Sequence, residues 1–293
     1  MHVAGRLTLS CLVVILVVGR ALASPPASGG DAPIVWRTDY ARAMAEAERQ
    51  NAMLLIYFCD KESELCRRFT EETLGDGQVT ARLRPYVCVK LPLTAKITVH
   101  GKPVVLLENE SFAEMQGNPG IAIVDFRSPK EPQRGAVVSL FPITERLGYS
   151  PEQMVVILGL PAGTLTQRTL IYAVRTHPEK PESTGGEPLP DLVEEAESHS
   201  KYQADIRVQG HHFWDSRFRR IIARLPGGLT AREVCAESWP GENLVEAAID
   251  CVDCWRSSSG HWDAVRSRHP FFGYDMKRGD NGVWYATGIF GGG

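Results

Sequence analysis

Apolar residues change their rhythm along this chain, and the change divides it. In the first half, short continuous apolar runs alternate with amphipathic stretches. Residues 39–50 carry Tyr40, Ala43, Met44 and Ala47 at helical spacing, which predicts a helix. Met53-Leu54-Leu55-Ile56-Tyr57-Phe58 is unbroken, the pattern of a strand buried on both faces. A second helix is predicted over 64–73, and strands over 86–91, 121–126 and 136–140. Helix–strand–helix–strand order predicts an α/β layer with a parallel component.

The second half is dominated by helical periodicity. Residues 166–176 carry Leu170, Ile171 and Val174, and a polar, Pro/Gly-rich loop follows over 178–190. Over 191–208, Leu192, Ala196, His199, Gln203 and Ile206 fall on one stripe, so His199 faces inward. The plainer reading of such a histidine is a hydrogen-bonded core residue. Further helices are predicted over 216–225 and 242–257. Thr230 and Glu233 have capping-box spacing before a short turn, and Gly260 is expected as a left-handed cap before a short helix opened by His261. The chain closes on a hairpin pattern, 271–275 with 283–290. The expected fold class is α/β, with domains over 31–145 and 163–290 joined near 145–163.

Composition adds an address and removes some functions. A formal charge of -3 gives no reason to expect nucleic-acid binding. Arg6, an apolar run from Leu7 to Val18 and Ala21-Leu22-Ala23 form a signal-peptide pattern over 1–23. The run is short for a membrane span, and no second one follows. The expectation is a secreted or periplasmic protein without an integral membrane span after cleavage; retention of the segment as an uncleaved anchor is the alternative. Six cysteines remain (Cys59, Cys66, Cys88, Cys235, Cys251 and Cys254), and their pairing is open.

The first half resembles the thioredoxin fold. Glu71-Glu72-Thr73-Leu74 matches a helix end of that family, and Pro119 falls where such folds place a cis-proline. The turn that should carry Cys-x-x-Cys is Ser63-Glu64-Leu65-Cys66, with serine at the attacking position. A hydroxyl neither attacks a disulfide nor leaves as a thiolate does. Cys59 stands seven positions before Cys66, a spacing compatible with a structural disulfide. The resemblance therefore implies a redox-inactive, degenerate module.

The second half resembles the CAP superfamily (the cysteine-rich secretory, antigen 5 and pathogenesis-related proteins, also called SCP domains), in its bacterial secreted branch. The resemblance runs in order through Ala173-Val174-Arg175, Glu197-Ser198-His199-Ser200, His211, Ala236-Glu237-Ser238-Trp239, Trp255, Ser258-Ser259-Gly260-His261 and Trp284 to Gly291. It implies an α-β-α sandwich. It also implies a cleft holding His211, Glu237 and His261, with His199 supporting them from behind. The carboxylate that many members carry after the helix tryptophan is missing, because Arg256 follows Trp255.

Two imidazoles and a carboxylate suit zinc or another divalent cation with an open position; the plainer reading is that they pin three segments together. The chain has no Gly-x-Ser-x-Gly elbow, phosphate loop or His-Glu-x-x-His helix. The leading expectation is a non-enzymatic binding protein whose partner is a lipid, a glycan or a protein. The alternatives are a metal-assisted hydrolase using the same cleft, or an envelope thiol–disulfide oxidoreductase using Cys59 and Cys66.

Overall fold

The computed structural model describes residues 33–99, 101–127 and 134–292. The expected signal segment lies outside them. Strand β1 (Trp36–Arg37) leads into helix α1 (Tyr40–Gln50), whose first turn is capped by the Asp39 carboxylate accepting from the Arg42 amide. Strand β2 (Met53–Cys59) is buried at all seven positions. The helix expected over 64–73 is α2 (Glu64–Arg68), capped by Ser63, followed by a wider π turn over Phe69–Thr73. Helix α3 (Gly77–Leu83), capped by Asp76, precedes strand β3 (Tyr86–Pro92). A hairpin of β4 (Lys96–Val99) and β5 (Lys102–Val105) follows, then β6 (Gly120–Asp125) and β7 (Ala136–Pro142).

Five of these strands form one sheet in the order β1-β3-β2-β6-β7, and β4 and β5 pair separately. β3 runs parallel to β1 and β2; β6 is antiparallel to β2 and β7. Close approach at the end of β6 needs a glycine: a Cβ on Gly120, whose φ is 147°, would lie 2.2 Å from the Phe141 carbonyl oxygen. One face of the sheet buries Leu54, Ile56 and Phe58 with Ala43 and Ala47 of α1.

The rest of the chain adds helices α4 (Pro151–Leu158) and α5 (Leu165–Thr176), both opened by capping boxes. Strand β8 (Glu187–Pro188), helices α6 (Pro190–Ile206) and α7 (Trp214–Ile222) and strand β9 (Thr230–Glu237) come next. Helices α8 (Leu244–Arg256) and α9 (Ser259–Arg266) and the antiparallel strands β10 (Phe271–Arg278) and β11 (Trp284–Gly292) complete it. The second sheet has the order β8-β10-β11-β9.

Side-chain alternation makes this sheet the middle of a sandwich. Val234, Ala236, Phe272, Tyr274, Ala286 and Phe290 pack with Leu170, Ala248 and Trp255 of α5 and α8. Ile289 turns the other way, onto Leu192 and Ala196 of α6. Gly273 lies directly beneath that helix; a Cβ there would stand 2.2 Å from the Leu192 backbone.

Two local expectations are corrected. Thr230 and Glu233 do not cap a turn: both lie in β9, because the segment pairs along its whole length with β11. Gly260 lies inside α9, not in a left-handed cap. The stretch expected to join two domains carries α4, whose Met154 and Ile157 are fully buried.

The chain from Ile34 onward is one compact unit. One buried cluster runs from Tyr57 of β2 to Phe290 of β11. At its centre Tyr172 of α5 meets Phe141 of β7 at 4.8 Å and Tyr149 at 6.1 Å between ring centroids. Arg168 of α5, 1 % exposed, donates from Nε to Ser139 Oγ on β7 at 2.9 Å. No helix among the described residues is long and apolar enough to cross a membrane.

A core shared by both sheets predicts joint unfolding. Phe141→Ala should cost about 3–5 kcal/mol. In urea, near-ultraviolet and far-ultraviolet signals should stay coincident in a single shifted transition. Two separate transitions, with only one displaced, would show that the sheets fold independently.

Candidate metal centre

Four elements of the sandwich bring polar groups to one spot. His199 lies on the buried face of α6, while Glu233 and Cys235 project from β9 toward the same side as Ile289. His211 follows α6 after a left-handed Arg207, in a loop held from both sides: Gly210 N–H donates to Gln203 Oε1 (3.0 Å), and its carbonyl accepts from His199 Nε2 (2.9 Å). His261 sits in the first turn of α9.

The histidines from the loop and from α9 meet directly. His211 Nε2 and His261 Nε2 are 3.1 Å apart. His211 Nδ1 lies 3.0 Å from Glu233 Oε1 and donates to it, since a carboxylate only accepts. That bond places the His211 proton on Nδ1 and leaves the Nε2 lone pair facing His261. Behind them, Glu233 Oε2 pairs with Arg217 Nη2 of α7 at 2.5 Å, with the two side chains 1 % and 8 % exposed. Cys235 Sγ lies 3.8 Å from His211 Nδ1. His199, Glu233 and Cys235 together present three possible ligand atoms within 4.8 Å of one another.

The charges follow from the surroundings. Burial works to raise the Glu233 pKa, but the bonds from His211 and Arg217 outweigh it, and the group lies below its ordinary value. Burial lowers His199 and His261, the latter helped by neighbouring His211, so both are neutral near pH 7. Burial pushes the Cys235 thiol well up. Neutral imidazoles are the form a cation binds. His199 already spends Nε2–H on Gly210, and Cys235 holds its proton tightly. The His211–His261 pair is therefore the better-prepared donor set.

The structure brings His211 and His261 together as the sequence pattern suggests, with His199 behind them at 3.8 Å from Glu233 Oε1. The carboxylate that joins them is Glu233. Glu237 is exposed at the end of β9, four residues or about 13 Å further along the strand. Its side chain has no hydrogen bond or ion pair among the described residues. The Thr-x-x-Glu spacing points Glu233 to a helix cap; the signal that identifies its place is period-two alternation with Cys235 in a strand. Gly241-Glu242-Asn243 follows Glu237 in the turn before α8. Its Asn243 caps α8, and Glu242 is pushed up to about 7 by burial and by Asp250.

The residues around the Ser63–Cys66 turn are in ordinary structural roles. Ser63 caps α2, accepting from the Cys66 amide at 3.4 Å. Pro119 accepts from the Ile143 amide at 2.7 Å. Cys59 and Cys66 border one hollow of about 200 Å³, and Cys66 Sγ accepts from the Asp60 amide at 3.4 Å. Burial raises the Cys59 thiol above its ordinary value, against the requirement for a ready nucleophile. All six described cysteines are free thiols. A hollow of about 710 Å³ adjoins Cys59, Trp36, Lys90 and Leu91, and no histidine lines it.

Comparison with models of known protein families finds no match, and comparison with curated proteins finds none either.

Two outcomes follow. Glu233→Gln leaves buried Arg217 with only the more distant Glu195 carboxylate, 4.0 Å from its Nε, as counter-charge and should cost about 3 kcal/mol in urea denaturation; an unchanged midpoint would mean that the pair contributes nothing. The second outcome concerns pH. Unfolded histidine titrates near pH 6.5, while folded His261 titrates lower. Between about pH 7 and 5.5 the unfolded chain takes up a proton that folded His261 refuses, so stability falls as pH falls. In chelator, His261→Gln should lose stability less steeply across that window; a parallel decline would contradict it.

Proposed function

We propose that this is an exported, non-enzymatic binding protein built around a CAP-type sandwich, whose His211–His261 pair holds a zinc-like divalent cation. The observation that carries the reading is the pair of Nε2 atoms 3.1 Å apart, with the His211 tautomer set by Glu233. Two nitrogens bound tetrahedrally to one zinc are separated by about 3.3 Å. The fit therefore needs almost no rearrangement. Glu233 acts behind the ligand, orienting His211 through Nδ1, the arrangement in which a carboxylate sharpens a metal-bound histidine. His199 of α6 packs beside that carboxylate, with its Nε2 held by the Gly210 carbonyl. Zinc, when bound, would supply a fixed positive charge and Lewis acidity at the half-exposed His211.

Sheet order and helix placement support the fold part of the reading. The order β1-β3-β2-β6-β7, with β2 and β3 parallel and β6 and β7 antiparallel, agrees with a thioredoxin-like layer. A four-stranded sheet between α6 on one side and α5 with α8 on the other agrees with a CAP-type layer. In this reading the first layer is scaffold, since Ser63 occupies the attacking position and Cys59 is buried. Export rests on the signal pattern before residue 24.

The test is metal content. Protein purified without a histidine tag and dialysed against trace zinc should retain about one equivalent per chain by mass spectrometry. His211→Ala and His261→Ala should lose it, while Glu233→Gln should weaken it about 10–100-fold, as outer-shell changes do. Full retention in both histidine variants would overturn the assignment.

A further inference from the structure

The first layer, scaffold to the metal site, has a hollow of its own. About 710 Å³ in volume, it opens where the parallel strands β1, β2 and β3 end, and each strand contributes to its lining, through Trp36, Cys59 and Leu91. Ligands of open α/β sheets settle outside the carboxyl ends of parallel strands, and this volume lies within the usual range for small-molecule sites. The walls are mostly apolar, built from Trp36, Leu91, Pro92 and Leu93.

One charge interrupts these walls. Strand β3 runs apolar through Val87, Cys88 and Val89, then places Lys90 on the same face as Cys88. The Lys90 ammonium stands over the ring of Tyr57, 5.1 Å from its centroid, and that ring is fully buried. The ring meets the ammonium from one side only. Among the described residues Lys90 has no ion pair and no hydrogen bond, so none of its three N–H donors reaches a protein acceptor. Half-buried lysines are ordinarily paired, because desolvating an ammonium without an acceptor is costly.

The neighbouring charges define what would complete the site. Lys61 and Asp60 also line the hollow, and both are exposed. Two ammonium groups and one carboxylate leave one net positive charge on this side. Arg67, which borders the adjoining smaller hollow, is already paired with Glu64 and Glu71. A monoanion balances the site, whereas a phosphate dianion would overshoot it. The complement of apolar walls with one net positive charge beside them is an apolar chain that ends in a carboxylate.

We propose that this hollow binds a fatty acid, its carboxylate accepting from the Lys90 ammonium and its chain lying along Trp36, Leu91 and Leu93. The inference goes beyond the metal reading and does not rest on it, since no histidine lines the hollow.

The experiment is calorimetric titration of the whole chain near neutral pH with octanoate, decanoate and dodecanoate, each below its micelle concentration. Decylammonium, of equal chain length and opposite charge, is the comparison. Affinity should rise about tenfold with each two added methylenes, as burial of the chain requires. Decanoate should bind at least about tenfold more tightly than decylammonium, the worth of one charged hydrogen bond. Lys90→Met keeps an unbranched apolar stem and removes the charge, and it should weaken decanoate about tenfold. His211→Ala, which removes a metal ligand, should leave decanoate affinity unchanged, so failure of the metal reading and failure of this one are told apart. The proposal is overturned if the three acids bind alike, if decylammonium binds as tightly as decanoate, or if no acid binds at millimolar concentration. Unchanged affinity in a folded Lys90→Met, or loss of decanoate in His211→Ala, would put the acid elsewhere and overturn it too. Should Lys90→Met not fold, the decylammonium comparison decides on the unaltered chain.

Discussion

Glu233 is the residue on which the candidate site depends. A carboxylate with a 1 % exposed side chain is tolerated only when its charge is met on every side. Arg217 of α7 meets one oxygen, His211 of the following loop the other, and His199 of α6 approaches from above. One strand residue thereby ties together a helix, a loop and a second helix. The same bonds that keep it ionised set the His211 tautomer, and that tautomer aims a lone pair at His261. Stability and site chemistry are two consequences of one buried charge.

The position of Glu233 is a consequence of sheet geometry. On β9, odd-numbered residues turn toward α6 and even-numbered ones toward α5 and α8. Val234 and Ala236 fill the apolar interior, so Glu233 and Cys235 must face the histidines. Pairing of β9 with β11 along its whole length leaves no freedom in that register. Gly273 brings α6 down onto the sheet, close enough for His199 to reach Glu233.

The two sheets also lean on one another. Arg168 and Tyr172 of α5 reach β7, and Thr73 donates to the Tyr149 carbonyl at 2.8 Å. The first layer therefore acts as a buttress for α5, which in turn packs against β10 and α8.

Much of the architecture is written in local pattern. The unbroken run of β2, the helical stripe of α6 and the closing hairpin are legible because periodicity and burial are the same physical fact. His211 and His261 are legible as punctuated histidines at element boundaries. Elements with weaker patterns were not: α3, α4, and the strand nature of Thr230–Glu237. In that last segment a Thr-x-x-Glu spacing imitates a helix cap, and only pairing with β11 makes it a strand. The choice of Glu233 over Glu237 was likewise beyond the sequence, since both lie on the same strand face by parity. Tertiary structure decided it, because α7 delivers Arg217 to one of them and leaves the other in solvent, where a carboxylate needs no partner.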